Sequence, residues 1–166
     1  MAFRFSFEVS GVQQFNRSFS RIEGHIEDLR PVWNIIDRVL FDIEDKQFKS
    51  EGAAGSGGKW KKLSRGYAKQ KEKTHPGMPI LQRTGRLMKS LTGKTGDTIL
   101  IKDKDEFAFG TSVEYAGDHQ RGKGILPQRA VIDFSESQKT ELQKGIQRGL
   151  IDIIRKDVTW LEFQTN

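Results

Sequence analysis

Ala2-Phe-Arg-Phe-Ser-Phe-Glu-Val-Ser-Gly-Val-Gln-Gln-Phe15 starts in one hydrophobic period and ends in another. Phe3, Phe5, Phe7 and Val9 alternate with Arg4, Ser6 and Glu8, which puts the apolar side chains on one face and predicts a strand over 2–9. Ser10 and Gln13 then stand at capping-box spacing, where a hydroxyl and a side-chain amide satisfy orphan backbone donors, so a helix begins there. From that point Val12, Phe15, Phe19, Ile22, Ile26, Leu29, Trp33, Ile36, Leu40 and Ile43 follow at alternating steps of three and four, a helical seam. Val32, Ile35, Val39 and Phe41 widen its second half. A continuous coiled coil fits the pattern, but Pro31 would break a helix interior and suits a first turn. Two helices over 11–28 and 31–48, jointed at 29–31, are the preferred reading.

Downstream, Ser64 to Lys73 predicts a short lysine-rich helix stopped by Pro76-Gly77, and Thr84 caps another that carries Leu87, Met88 and Leu91 and ends near Gly93. Ile99, Ile101, Phe107 and Phe109 flank the polar tip 102–106 as a β-hairpin. A further strand is expected at Val131–Phe134. Ser135 and Gln138 repeat the capping-box spacing before a last helix over about 136–158. This order predicts an α+β fold: a small antiparallel or mixed sheet packed against long N- and C-terminal helices, with an extended basic insertion arm.

The 166 residues suit a single domain, with a body formed by 1–50 and 97–166 and an insertion at 51–96. Charge marks the insertion. Residues 52–96 hold 11 Lys and Arg against 1 acid, while the flanking stretches 1–51 and 97–166 each carry a net −2, within an overall +6. Its lead-in, Gly52-Ala-Ala-Gly-Ser-Gly-Gly58, offers little side chain to offset the entropy of ordering, so the arm is expected to be flexible. Lys59, Lys61, Lys62, Arg65 and Lys69 interleave with Trp60 and Tyr67, a composition suited to phosphate backbones, to an acidic protein neighbour or simply to solvent.

Several chemistries find no support in the residues. There is no cysteine, which removes disulfides, thiolate metal sites and cysteine nucleophiles. Apolar runs stop at three or four residues, against the roughly 20 of a bilayer crossing, and the N-terminus lacks a secretory pattern. His25 and His75 have no metal-ligating spacing, and the carboxylates Asp42, Glu44 and Asp45 match no calcium loop. Asp118 beside His119 could orient an imidazole for general-base work, but no elbow-framed nucleophile accompanies it. No cofactor, metal or enzymatic activity is expected.

Four stretches, in order, resemble the pattern of the phage virion morphogenesis family, which includes tail completion proteins of Mu-like and P2-like phages. They are Trp60-Lys-Lys-Leu63-Ser-Arg-Gly-Tyr67-Ala-Lys-Gln-Lys71, Ile80-Leu81-Gln-Arg-Thr84-Gly85-Arg-Leu87-Met-Lys-Ser-Leu91, Tyr115-Ala-Gly-Asp-His119-Gln120-Arg-Gly122 and Pro127-Gln-Arg129. Arg121 departs from the apolar or aromatic residue expected before the glycine. The resemblance implies a structural virion protein of the tail end or neck, a tail completion or tail terminator ring of six subunits, assembled in the host cytoplasm. Its implied partners are further copies of the chain, the tail tube or tail-end protein, and head connector or neck proteins; the basic stretch adds a transient contact with passing DNA as an expectation, and the short apolar runs give no expectation of a membrane partner. Trp60, Leu63, Tyr67, Leu81, Thr84, Gly85, Leu87, Leu91, Tyr115, His119, Gln120 and Arg129 would then form subunit or partner contacts. Packing of the same residues against their own subunit is the alternative. On either view Thr84-Gly85 forms a helix cap, and Pro127-Gln-Arg129 a turn placing Arg129 beside an acidic partner or the sheet. Non-specific nucleic-acid binding through 59–89 is the alternative function.

Overall fold

A computed structural model describes residues 2–4, 28–93 and 95–164. The expected helix at 11–28 and the distal part of the first strand lie outside the described residues. The elements are β1 (Ala2–Arg4), α1 (Arg30–Lys49), α2 (Arg65–Thr74), α3 (Arg86–Thr92), β2 (Thr98–Lys102), β3 (Phe107–Thr111), α4 (Ala116–Arg121) and α5 (Glu136–Gln164). The sheet is antiparallel in the order β1-β3-β2, with Phe109 opposite Phe3 on one side and Leu100 on the other. This is the α+β arrangement expected.

Central β3 is buried along its whole length. Phe107 and Phe109 point to one face, where Trp33 and Phe41 of α1 meet them at ring-centroid distances of 5.5 and 5.9 Å. The same face receives α3, whose Ser90 Oγ lies 2.7 Å from the Thr111 hydroxyl. Pro31 occupies the first turn of α1, where its missing N–H costs nothing, and the helix starts at the expected joint. Val32, Ile36, Leu40 and Ile43 are the buried positions of the seam, each a turn apart, while Trp33 is only half-buried.

Helix α5 lies across α1 through two glycines one turn apart. A Cβ at Gly145 would stand 3.2 Å from Ile36 Cδ1, and one at Gly149 would stand 3.0 Å from the Val32 Cα. The axes therefore run antiparallel and approach closely. Leu142 fills the interface, and Ile146, Leu150 and Ile153 pack around it.

The hairpin tip is fastened to the start of α1. Trp33 Nε1 donates to the Asp103 carbonyl at 2.9 Å, the Leu29 amide donates to the Lys104 carbonyl at 2.7 Å, and Lys102 Nζ reaches Asp37 at 2.8 Å and Asn34 at 2.7 Å. Asp37 is buried, so its pairing with Lys102 offsets a desolvated charge.

Two expectations are corrected. Residues 131–134 form no strand. Their backbone groups are instead met by the side chain of Gln120, whose Oε1 accepts from the Val131 and Ile132 amides at 2.7 and 3.0 Å and whose Nε2 donates to the Ile132 carbonyl at 2.8 Å. One side-chain amide thus stands in for a neighbouring strand. The second correction concerns the insertion, whose stretches 51–63 and 80–93 are folded onto the body. The glycine-rich lead-in is held by Asp133, which accepts from Ser56 Oγ at 2.5 Å and from the Gly57 amide at 2.6 Å. Sparse side chains left the entropy of this loop uncompensated in the sequence; the compensation comes from a carboxylate 76 residues away.

Candidate functional site

Trp60 is the hub of the motif-bearing region. The chain leaves α1 through Glu51 and Gly52, at φ of 52° and 94°, and the Trp60 amide returns to the Glu51 carbonyl at 2.7 Å. Gly52 leaves room for the indole: a Cβ there would sit 2.5 Å from Trp60 Cδ1. The ring packs edge-on to Phe48 with centroids 5.4 Å apart, is 5% exposed, and donates through Nε1 to the Ala130 carbonyl at 2.8 Å.

Arg129 closes the loop from the other direction. It is buried, and it donates through Nε to the Lys61 carbonyl at 2.8 Å and through Nη2 to the Lys62 carbonyl at 3.1 Å. Its amide donates to the His119 carbonyl at 2.8 Å. Burial pushes the guanidinium below its usual basicity, and Tyr67 nearby opposes that effect. Arg129 therefore acts as a planar fork on two carbonyls of its own chain, a role that lysine's point charge reproduces poorly.

His119 and Gln120 project from α4, which ends at Gly122 in the left-handed region, φ 70°. A Cβ at Gly122 would lie 2.8 Å from the Gln128 amide nitrogen, so only glycine lets the 128–132 segment come close enough for Gln120 to bind it. Burial holds the His119 imidazole below its ordinary pKa; the Arg129 charge adds to this and Asp118 counteracts it. Its Nδ1 is buried with no partner among the described residues, and its ring meets Tyr115 edge-on at 6.2 Å. Asp118 turns to Lys123, 3.5 Å away, instead of orienting the imidazole, so the pair does not form the base that its adjacency suggested.

The second motif is built into the core. Gly85, at φ 71°, precedes α3, and Thr84 Oγ1 accepts weakly from the Arg86 amide at 3.4 Å. Arg86 grips Asp97 through Nε and Nη2, both at 2.7 Å, and Asp97 is thereby held below the usual carboxylate range. Leu87 and Leu91 are fully buried, and Leu81, at φ 62°, packs beside them half-buried.

Trp60, Leu87, Leu91 and Arg129 thus serve the interior of their own chain, which corrects their assignment to a neighbour. The cause is pairing that local spacing does not carry: Trp60 reaches the Ala130 carbonyl 70 residues away, and Arg129 the carbonyls of Lys61 and Lys62, 68 and 67 residues away. Leu63 is half-buried, while Tyr67 and Tyr115 remain about 40% exposed. Sequence reasoning missed Ile125 and Leu126. They stand on the loop between Gly122 and Pro127, and Ile125 is completely exposed at its tip. It also missed Glu44, a fully buried carboxyl with no hydrogen-bond partner on either oxygen among the described residues, one turn from the equally orphaned Gln47 Oε1. Burial raises the Glu44 pKa well above its ordinary value, and Asp133 adds to the effect.

Of the cations, Lys71 is buried, with Nζ on the Pro79 carbonyl at 2.5 Å, and Lys59 faces Glu51 at 3.8 Å. Lys61, Lys62, Arg65 and Lys69 are exposed. Among the described residues no trio of His, Asp or Glu could hold a metal ion, and no helix is long and apolar enough to cross a membrane.

The chain is 27% identical over 158 residues to the Mu-like prophage FluMu G protein 1 of Haemophilus influenzae, an alignment covering 94% of this chain and all of that protein. No solved structure matches it significantly. A model of the phage virion morphogenesis family matches residues 11–151, a span that takes in all four motif stretches together with the residues that clasp them. That match covers most of the sequence and every contact converging on Trp60, Gln120 and Arg129, and the chain belongs to the phage virion morphogenesis family.

Proposed function

We propose that this protein is a ring-forming tail completion or tail terminator protein, six copies of which close a ring at the head–tail junction of a tailed phage. The family match over 11–151 is the observation that carries the reading. A cyclic assembly needs two complementary patches on each subunit, joined head to tail and closed by rotation. The 122–126 loop supports such a patch. Ile125 is completely exposed and its neighbour Leu126 is partly exposed, while among the described residues most other large apolar side chains are packed. Apolar side chains held out by a short loop are suited to pack against a neighbour. Further copies would meet there, with the tail tube or tail-end protein on one face of the ring and connector or neck proteins on the other.

Light scattering coupled to size exclusion, together with electron microscopy of purified tails, tests this reading. The wild type is expected to run as a ring and to occupy the tail end. Ile125→Asp is expected to run as a folded monomer by circular dichroism. A wild-type chain that remains a monomer under all conditions and is absent from purified virions overturns it.

A further inference from the structure

We infer that Lys61, Lys62, Arg65, Lys69 and Lys73 form a rigid cationic face that binds the phosphate backbone of double-stranded DNA without reading sequence. All five are exposed, and among the described residues none has a carboxylate at ion-pair distance. Arg65, Lys69 and Lys73 recur every fourth residue along α2, so they share one stripe that runs about 12 Å along the axis. That length is comparable to the roughly 12 Å separating backbones across a major groove. Glu72, the single acid of the segment, turns its carboxylate back toward the Gly77 amide at 3.4 Å.

The frame beneath the face is fixed. Arg129 holds the carbonyls of Lys61 and Lys62, Ser64 Oγ accepts from the Tyr67 amide at 3.4 Å to cap α2, and Lys71 pins the opposite side of the helix to Pro79. Five long side chains on a preformed support lose less entropy on binding than the same charges on a loose arm.

Among the described residues, many of the carboxylates a second copy could offer this face are already engaged within their own chain. Asp42, Asp45, Asp97, Asp118 and Glu136 are each paired with a Lys or Arg of their own chain. Among the described residues the other exposed carboxylates stand at the hairpin tip, where Asp103 and Asp105 alternate with Lys102 and Lys104, at the Glu114 turn and on α5. A regularly spaced polyanion is therefore the fitting occupant, and duplex DNA is the polyanion with that regular spacing. The inference stands independently of the proposed ring.

The test is fluorescence anisotropy of the full chain with labelled duplexes of about 30 base pairs and unrelated sequence, with labelled polyglutamate alongside. Five phosphate contacts predict equal affinity for each duplex and a weakening of roughly 500-fold between about 50 and 200 mM salt. In R65A/K69A/K73A, with fold verified by circular dichroism and melting, the weakening over the same range falls to roughly 10-fold. K139A/K144A on α5 removes charge elsewhere and keeps the wild-type slope. Absence of binding at about 50 mM salt, or an unchanged slope in the triple variant, overturns the inference. Polyglutamate bound as tightly as duplex also overturns it and reassigns the face to an acidic protein. Subunit mass and virion content are read separately, so a chain that builds rings yet ignores DNA refutes this inference alone.

Discussion

Trp60→Ala separates a residue that holds its own subunit together from one that waits for a neighbour. In the structure the indole is 5% exposed, edge-on to Phe48, and its Nε1 caps the Ala130 carbonyl at 2.8 Å. Truncation removes a large buried ring and leaves a cavity, which costs about 3–5 kcal/mol in comparable cores. For a chain of this size that corresponds to a fall in Tm of about 10–15 °C. Trp60→Phe retains much of the packing and loses the indole hydrogen bond, so its cost should be nearer 1–2 kcal/mol. Urea unfolding followed by far-ultraviolet circular dichroism on dilute protein, where assembly contributes nothing, measures both. The order Trp above Phe above Ala, with unchanged m values, is expected. Wild-type stability in dilute Trp60→Ala combined with failed assembly would refute the reasoning and return Trp60 to a subunit interface.

Two further perturbations probe the same region. Glu44 has a raised pKa in the folded chain, so the folded state keeps its proton after the unfolded carboxyl, near 4.3, has released one; stability is lost as pH rises above that value until Glu44 itself ionises. Glu44→Gln removes this loss, and urea midpoints compared at successive pH values should show the variant gaining on the wild type by about 1.4 kcal/mol per pH unit within the window, whereas parallel profiles would mean that Glu44 is solvated. Gly122→Ala adds a Cβ 2.8 Å from the Gln128 nitrogen at a left-handed φ, and should lower stability by about 1–3 kcal/mol and loosen Gln120 from 131–132, seen as faster exchange of the Val131 and Ile132 amides; unchanged exchange would show that the loop shifts without consequence.

The periodic elements were legible because their signals are local. The seam Ile36-Leu40-Ile43 marked α1, Pro31 marked its start, and Ser135 and Gln138 marked the start of α5, where Gln138 Oε1 and the Ser135 amide lie 2.8 Å apart. The hairpin was equally plain from Ile99 to Phe109. What escaped was pairing between a side chain and a segment outside its own element, over separations from 11 residues to more than 100. Val131–Phe134 has a strand's composition, and nothing local reveals that Gln120 would take the place of its ladder partner. Gly145 and Gly149 read as weak points in a helix until Ile36 and Val32 are seen against them. The motif residues were found by resemblance, yet their direction, inward for Trp60, Leu87 and Arg129, depended on contacts made by Phe48, Ala130 and the carbonyls of 61 and 62. Composition suggested a loose basic arm because a glycine-rich lead-in carries no sign of the Asp133 carboxylate that receives it.

Amide and indole hydrogen exchange on the isolated subunit tests the central claim, that the insertion's stretches 51–63 and 80–93 belong to the body before any partner arrives. Slow exchange is predicted for Trp60 Nε1 and for the amides of Trp60, Val131 and Ile132, comparable to β3. Exchange of those stretches at free-peptide rates in the lone subunit, with protection gained only on assembly, would contradict it.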